Sequence, residues 1–466
     1  MSNSKAPLLK DATRDLAAFA ANLEFEQIPE EVVQRIKTSV LDSIGCCLFG
    51  ATLPWTQKVQ AMVEEEGCRP VASIFGTGKR TSAAGAALVN ATAGHAFELD
   101  DIHKESIVHP GSIALPVAVA LAEQAGTRRG RDIITALVAG YEVGTRVGNA
   151  ATMSLFFRGF HPQGASGVFV AAAAAGRMLG LDAQKMQHAL GIAGSQAGGL
   201  MAAQEGAMVK RFHSGRAAQS GIYSALLAAK EFTGITDVLE APYGGYLSSY
   251  SDKPNAQRLT DGLGATWETA TIGYKPHASV TSIHAALDAL ARIMKDNRLK
   301  PDDIAKLDVG VSHMTHVHCA WDYKAQGVTA AQMNLYYGLA VMAHDGVAFV
   351  DQYRQERLND PKIFDFISRV NAYADPQIDS MGPAFRHAAR VAVTTRDGRM
   401  LAQEILHRRG SPENPLDPSD VEYKFRNVVH SCLSKGDIEK TIELSSRLDR
   451  LDDIQPLLDL LSAPRA

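Results

Sequence analysis

The amino-acid sequence predicts a mainly α-helical protein, with a large all-helical domain and a smaller α+β domain inserted into it. Three observations support this prediction. Alanine-rich segments of helical length follow one another between residues 82 and 230, whereas β-type patterns are concentrated later in the chain. Amphipathic helices then return near the C-terminus. We therefore expect residues 1–265 and 406–466 to form the helical domain and residues 266–405 to form the α+β domain.

Two amphipathic helices are expected within residues 8–50. The second should begin near Pro29, because proline and the acids Glu30 and Glu31 all suit the first turn of a helix. The next segment of interest, residues 70–83, contains the β-type sequence VASIF beside glycines. We interpret this segment as a small hairpin or a loop excursion.

The central region is predicted to be a tightly packed helical core, because alanine and glycine let neighbouring helix backbones approach closely. Predicted helices in this region span residues 113–126, 131–149, 165–180, 184–199 and 216–232. The glycine-containing sequence GSQAGGLMAAQEGA at residues 194–207 follows no predicted strand. It therefore does not match a phosphate-binding loop.

The inserted domain is predicted from strand and hairpin patterns. Leu307, Val309 and Val311 alternate along residues 306–313, as in a half-buried strand. The pair Asp397–Gly398 lies between two β-type runs and is typical of a tight hairpin turn. Further helices are predicted at residues 281–297 and 329–345, and from near Ser419 and Gly436.

Composition excludes several classes of protein. The 466-residue chain carries 47 basic and 51 acidic residues, so no basic excess points to nucleic acid. Its 5 cysteines show no CxxC spacing, which favours reduced thiols and a cytosolic setting. The N-terminus lacks an apolar signal region, and the most apolar run is too short to span a bilayer. We expect a cytoplasmic protein with no nucleic-acid or membrane partner.

A charged segment, residues 95–112, lies between two apolar helical segments. It contains three histidines, four acids and one lysine. Burying such a segment is costly unless its groups pair with one another or with a ligand. The segment is therefore either a solvated connection or a functional site, and three histidines in one connection favour a site. Lys104 and Glu105 are expected to be its solvated neighbours.

Three further polar clusters interrupt the apolar sequence, at residues 158–162, 209–216 and 274–284. Arginine and lysine bind carboxylates, and histidine moves protons near neutral pH. A small carboxylate substrate with a reactive C–H bond beside the carboxylate would use both kinds of group. Each cluster taken alone is more typical of a capped helix end or a solvated face than of a site. The set of clusters favours a polyanion site.

A metal site was considered at His313, His316, His318 and Cys319. These residues follow a predicted strand, in which successive side chains change face. No second ligand pair at zinc-like spacing accompanies them. We therefore predict no metal here. The sequence also lacks a GxSxG elbow and a dinucleotide-binding fingerprint.

At these motifs the sequence resembles the MmgE/PrpD family. The resemblance spans residues 8–460 and is carried by HAFELDDIHKESIVHPGS, GFHPQGASGVFVAAAAAGRMLGLD, KRFHSGRAAQSG, GYKPH, AQMNLYYGLAVMAHDG and HRRGSPENPLDPSDVEYKF. The family includes dehydratases, decarboxylases and epimerases of small polycarboxylates. The resemblance implies that the inserted domain is a lid, that the active site lies in the cleft between the domains, and that the protein is a homodimer. It also implies a reaction that needs no metal or organic cofactor.

The resemblance and the polar clusters together give a set of expected site residues. The expected catalytic residues are His109, His161, Asp100, Asp101, Lys210 and Tyr337. The expected substrate-binding residues are His103, Lys275, Arg211, His213, Arg216 and His277. Lys210 and Lys275 would bind carboxylates, and His109 and His161 would transfer protons. Asp100 or Asp101 would orient a histidine and raise its basicity, and Tyr337 would donate a hydrogen bond.

Two departures from the family pattern bear on the reaction. After Tyr274–Lys275–Pro276, many relatives carry an arginine suited to a carboxylate, but here His277 begins a segment without one. Ile102 stands where the decarboxylase branch has threonine. The first hypothesis is therefore a dehydratase-type lyase acting on a small di- or tricarboxylate. The alternatives are an epimerase or isomerase, a decarboxylase, and a non-catalytic carboxylate-binding protein.

Overall fold

The computed structural model of the protein describes residues 9–126 and 129–464. It is 59% helical with 9% strand, which confirms the prediction of a mainly α protein. The predicted first helical region and the predicted domains also include residues 1–8, 127–128 and 465–466. These lie outside the described residues.

The N-terminal half is built almost entirely of helices. They are α1 (Ala12–Asn22), α2 (Glu30–Gly50), α3 (Pro54–Glu65), α4 (Ala83–Gly94), α5 (Gly111–Ala125), α6 (Gly130–Phe157), α7 (Pro162–Ala165), α8 (Gly167–Met178), α9 (Ala183–Gly194), α10 (Val209–Ala229) and α11 (Tyr246–Tyr250). The predicted hairpin is confirmed as the antiparallel pair β1 (Ala72–Ser73) and β2 (Arg80–Thr81).

Close packing in the helical core depends on its small residues. A methyl group on Gly144 of α6 would lie 2.0 Å from Cγ2 of Val170 on α8. One on Gly221 of α10 would lie 2.2 Å from Cβ of Ala171. The three helices therefore meet almost backbone to backbone, as the alanine- and glycine-rich sequence predicted.

A second region follows with a mixed four-stranded sheet. Its strands are β5 (Ile304–Val311), β6 (Val370–Ala374), β7 (Ala389–Thr395) and β8 (Met400–Ile405), in the order β6-β5-β7-β8. β5 and β6 are parallel, and the other pairs are antiparallel. The hairpin predicted at Asp397–Gly398 is confirmed as the β7–β8 turn. The helices of this region are α12 (His284–Asn297), α13 (His313–Cys319), α14 (Val328–Met333), α15 (Leu335–Asp345), α16 (Pro361–Ile367) and α17 (Pro376–Ser380).

The expected continuation of the strand to residue 313 is wrong. β5 ends at Val311, and Ser312 caps α13 by accepting a hydrogen bond at Oγ from the backbone N–H of Thr315 (3.1 Å). A serine at this position satisfies an amide that has no partner within the helix. The histidines considered as metal ligands therefore lie on a short helix rather than on alternate faces of a strand.

A short strand pair links the charged segment to the start of the second region. β3 (Ile102–His103) pairs antiparallel with β4 (Ile272–Gly273). Beyond β4, the backbone N–H of Tyr274 donates to the carbonyl oxygen of Gly410 (2.9 Å). These bonds tie three distant parts of the chain together at one place.

The chain ends in α18 (Pro418–Val429), α19 (Lys435–Ser446) and α20 (Gln455–Ser462). α18 and α19 pack against α2. A buried ion pair joins α18 to α2, since Nζ of Lys424 lies 2.6 Å from Oδ1 of Asp42. The C-terminal helices thus contact the N-terminal ones. Division of the chain at residues 266 and 405, and a lid role for the inserted part, remain predictions.

The described helices were also compared with the length and composition of a membrane span. No single one of them is both long and apolar enough to cross a bilayer. The consecutive helices α2 and α3, which are bent by 82° relative to each other, meet that criterion only when taken together.

We predict that Lys424→Met lowers the free energy of unfolding by about 3–5 kcal/mol, because it leaves the Asp42 carboxyl buried without its partner. The double variant Asp42→Leu/Lys424→Met removes both charges and should be less destabilised. Thermal unfolding of the three proteins tests this expectation. A double variant as unstable as Lys424→Met would show that the pair is not the source of the effect.

Candidate active site

A cavity of about 80 Å³ lies where the charged segment, α10 and the start of the second region meet. Its lining combines apolar side chains with a concentrated set of titratable groups. The titratable residues of the lining are Glu98, Lys104, His109, His161, Lys210, Lys275, His318, Cys319 and His387. Such a cavity, with a few converging polar groups, is the usual form of a small-molecule site.

Ordinary local features position these side chains. α4 ends before His95, and the charged segment then crosses the cavity before Gly111 begins α5. Lys210 lies in the first turn of α10, and Lys275 follows β4. Near the end of α6, Thr152 has a φ of 59°, which breaks the helix and redirects its last turn. Phe156 in that turn lines the cavity.

Glu98 is the centre of the strongest electrostatic cluster. Its Oε1 accepts hydrogen bonds from Nζ of Lys210 and from Nη1 of Arg211, the latter at 2.5 Å. Its Oε2 accepts from Nζ of Lys275 at 3.1 Å. Burial raises the pKa of Glu98, but Lys210, Lys275 and Arg211 together outweigh burial and hold this pKa well below 4.5. Three cations facing one carboxylate leave a net positive charge suited to an anionic ligand.

The cluster explains the protonation behaviour of Lys210. Burial lowers the pKa of this lysine from 10.5 to about 8, although Glu98 acts in the opposite direction. Lys210 is therefore charged at neutral pH and becomes neutral in mildly alkaline solution. Its ammonium group titrates within the working range of most enzymes.

Asp100 lies between two histidines. Its Oδ2 is 2.7 Å from Nδ1 of His95, and its Oδ1 is 3.4 Å from Nδ1 of His109. Burial raises the pKa of Asp100, but His109 and His95 outweigh burial and hold this pKa well below 3.8. Burial lowers the pKa of His95 to about 4. An ionised Asp100 thus faces His109 at the cavity wall and is placed to orient its ring.

Asp101 points away from the cavity. Its Oδ1 accepts from the backbone N–H of Gly111 (2.9 Å), and its Oδ2 accepts from the hydroxyl of Tyr141 (2.7 Å). Burial and the nearby Asp42 raise the pKa of Asp101 to about 8. Asp101 therefore anchors the start of α5. Of the two acids between which the sequence did not choose, Asp100 is the one beside a cavity histidine.

Several other expected site residues also lie outside the cavity lining. Tyr337 donates its hydroxyl to the carbonyl oxygen of Gln352 (2.6 Å). His277 contacts Asp288 (2.9 Å), and His103 contacts Glu268 (3.0 Å) and Ser106 (2.9 Å). Arg216 is exposed and donates to Gln219. Arg211 lies behind the lining, bound to Glu98. The roles expected for these residues remain predictions.

Five titratable residues of the cavity lining were not among the site residues expected from the sequence: Glu98, Lys104, His318, Cys319 and His387. Lys104 was expected to be solvated, but it is only 7% exposed, lines the cavity, and donates to Glu413 (3.0 Å) and to the carbonyl oxygen of Ala384 (2.7 Å). Glu98 was not among the expected site residues, whereas the nearby Asp100 and Asp101 were. Its φ of 53°, unusual for a residue other than glycine, is visible only in the structure. His387 lines the cavity from the second region, and it belongs to none of the sequence motifs described above.

One group of described residues has the geometry of a metal site. Ligand atoms of His95, Asp100 and His109 all lie within 4.8 Å of one another. Two imidazoles and a carboxylate suit a divalent transition metal. However, the ammonium group of Lys210 lines the same cavity as His109 and would oppose a cation bound there. The group differs from the cluster at residues 313–319, for which the sequence analysis predicts no metal.

Comparison with known proteins agrees with the motifs and the geometry. Residues 14–258 match the MmgE/PrpD N-terminal domain, and residues 277–450 match the MmgE/PrpD C-terminal domain. The chain belongs to the MmgE/PrpD family. The resemblance inferred from short motifs is thereby confirmed over nearly the full length.

Curated relatives of this family member share most of its length. Cis-aconitate decarboxylase of Aspergillus terreus is 34% identical and covers 97% of this chain and 96% of its own. A cis-aconitate decarboxylase-like protein of Aspergillus oryzae is 31% identical, covering 97% of each chain. The human cis-aconitate decarboxylase is 28% identical, covering 98% of this chain and 96% of its own. The family member is thus similar to enzymes that are named for action on a tricarboxylate.

We predict that Glu98→Gln lowers the free energy of unfolding by about 3–5 kcal/mol, because three buried cations lose their common counter-charge. Added citrate should raise the thermal midpoint of Glu98→Gln more than that of the wild type, since its carboxylates replace the missing charge. The matched control is Glu413→Gln, which affects the more exposed partner of Lys104. An equal citrate response in all three proteins would contradict the proposed charge balance.

Proposed function

We propose that this MmgE/PrpD protein is a lyase that acts on a small di- or tricarboxylate without an organic cofactor. The observation that carries the proposal is the cavity itself. It joins the cations clustered on Glu98 to two histidines: His109, which contacts the buried Asp100, and His161, which contacts the half-buried His213. The full-length similarity to cis-aconitate decarboxylases supports decarboxylation as the first reaction to test.

Substrate binding would use the cations nearest the cavity. Lys210 and Lys275 both line it and are already held by hydrogen bonds to Glu98. Each ammonium group has three donor positions, so it can hold Glu98 and a substrate carboxylate together. Lys104 lines the same cavity and would attract a second carboxylate. Several cations in one enclosed site favour a polycarboxylate over a monocarboxylate.

In decarboxylation, the bond between a substrate carbon and its carboxylate breaks and carbon dioxide leaves. The electron pair stays on the substrate and spreads toward the remaining unsaturated acid group. Lys210 and Lys275 would stabilise this added negative charge from fixed positions. A histidine of the cavity wall then donates a proton to the carbanion. His161 and His109 are both placed on that wall.

Elimination of water is the second candidate, and Ile102 favours it. This isoleucine lines the cavity at the position where the decarboxylase branch has threonine. In elimination, one histidine removes the proton from the carbon beside a carboxylate, and the other protonates the departing hydroxyl group. The same cations stabilise the charge that develops on the carboxylate. The two reactions share one constellation and differ in what leaves.

We expect the purified protein to convert cis-aconitate or a related tricarboxylate, and Lys275→Met to lower kcat/KM by at least about 100-fold. Carbon-13 NMR of the mixture separates released carbon dioxide from a hydrated product. The matched control is Lys306→Met, because Lys306 is exposed and paired with Asp308 on the sheet. If a panel of di- and tricarboxylates yields neither product, the proposal is wrong.

Substrate affinity should also depend on pH in a defined direction. The ammonium group of Lys210, with a pKa of about 8, is charged below that pH and neutral above it. KM should therefore rise as the pH increases through about 8. Lys210→Arg keeps its charge to far higher pH, so its KM should rise only in more alkaline solution. An unchanged pH midpoint in Lys210→Arg would contradict this assignment.

A further inference from the structure

Two imidazole rings, those of His161 and His213, meet at the edge of the cavity. Their Nδ1 atoms are 2.8 Å apart, and their ring centroids are 5.1 Å apart. His161 lines the cavity, whereas His213 lies half-buried on α10 outside the lining. With Nδ1 engaged by His213, the nitrogen of His161 left for a substrate is Nε2.

The Nδ1–Nδ1 contact fixes how hydrogen is arranged in the pair. One Nδ1 carries a hydrogen and donates it, and the other is bare and accepts it. Burial lowers the pKa of His161 well below 6.5 and that of His213 to about 4, so both rings are neutral at pH 7. In a neutral pair, the donor ring has a bare Nε2 and the acceptor ring carries its hydrogen on Nε2.

Glycines build the space that this pair occupies. A methyl group on Gly199, whose φ is 109°, would lie 3.2 Å from Cγ of His213. One on Gly164 would lie 2.3 Å from the carbonyl oxygen of Gly198. The carbonyl oxygen of Gly199 also accepts from the backbone N–H of His161 (3.0 Å). The glycine pair that matches no phosphate loop thus forms one wall of a site for two imidazoles.

We propose that His161 and His213 form one acid–base unit, in which His213 passes protons between solvent and the substrate-facing nitrogen of His161. His161 is the catalytic residue of the unit, and His213 is a positioning residue that acts through it. The proposal rests on the proposed function for its chemistry, and it replaces the substrate-binding role expected of His213.

The proton steps balance in both directions. When His161 is the donor ring, its bare Nε2 takes a proton from a substrate carbon. The shared proton crosses to Nδ1 of His213, and Nε2 of His213 releases a proton to water. In the reverse step, His161 gives its Nε2 proton to a carbanion or a departing hydroxyl group. Nδ1 of His161 then receives the shared proton from Nδ1 of His213. Nε2 of His213 takes a proton from water. Each step moves one proton in and one out, involves no electron transfer, and leaves both rings neutral.

The other histidine of the cavity wall has a different environment. His109 is backed by Asp100 and then by His95, which is fully buried and whose Nε2 finds no hydrogen-bond partner among the described residues. Among the described residues, the polar contacts of this group end at His95, whose ring centroid lies 5.7 Å from that of His161. The two histidines therefore differ in environment: His161 is paired with the half-buried imidazole of His213, and His109 lies beside the carboxylate of Asp100.

Kinetics of His213→Gln and His213→Ala test the unit. Glutamine keeps a hydrogen bond to Nδ1 of His161 but cannot pass a proton, so we expect kcat to fall about 10- to 100-fold with little change in KM. Added imidazole should restore part of the activity of His213→Ala by occupying the space of the missing ring. The control is His188→Gln, a half-buried histidine on α9 that contacts Gly234. If His213→Gln retains the kcat of the wild type, His213 only orients His161 and the proposal is overturned.

A second measurement needs no substrate. In protein labelled with nitrogen-15 histidine, a shared N–H···N hydrogen bond gives a scalar coupling between the two Nδ1 nuclei. We expect this coupling in the wild type and in His188→Gln, and its loss in His213→Gln. Its absence from the wild type would overturn the proposal whatever the enzyme does. If the coupling is present but no polycarboxylate reacts, the proposed function fails while the hydrogen-bonded pair stands.

Discussion

The site depends on the contact of three buried cations with one carboxylate. Glu98 brings together Lys210 and Arg211 from α10 and Lys275 from beyond β4, so residues far apart in sequence share one counter-charge. A charge of this kind that stays buried without its partner is strongly destabilising. The cluster therefore constrains where α10, the charged segment and the second region can lie. It also keeps the cavity positive before any substrate arrives.

The alanine- and glycine-rich core makes this arrangement possible. A polar segment can cross the interior only if the surrounding helices seal it from water on most sides. Close approaches such as Gly144 to Val170 remove the space that larger side chains would occupy. The charged segment therefore depends on the apolar helices that surround it. These helices supply a low-dielectric environment, which strengthens the ionic contacts of the charged segment.

Most of the secondary structure could be predicted because it follows local rules, as at the Asp397–Gly398 hairpin and the helix that begins near Pro29. The error at His313 arose because one serine cap outweighed an alternating pattern. Glu98 is one of several neighbouring acids, and nothing in the sequence shows which of them meets the lysines. His387 and Lys104 reach the cavity only through tertiary packing. The motifs identified the segments of the chain that form the site, but not which residues of those segments contact one another.

The pairing of β3 with β4 has a mechanical consequence. It holds Lys275 at a fixed distance from the charged segment, so both belong to one rigid block with Glu98. A motion that admitted a ligand would separate other contacts, such as Lys104 with Ala384 and Arg386 with Glu105. Lys210 and Lys275 would then keep their positions around a bound carboxylate during opening, and only the other walls of the cavity would move.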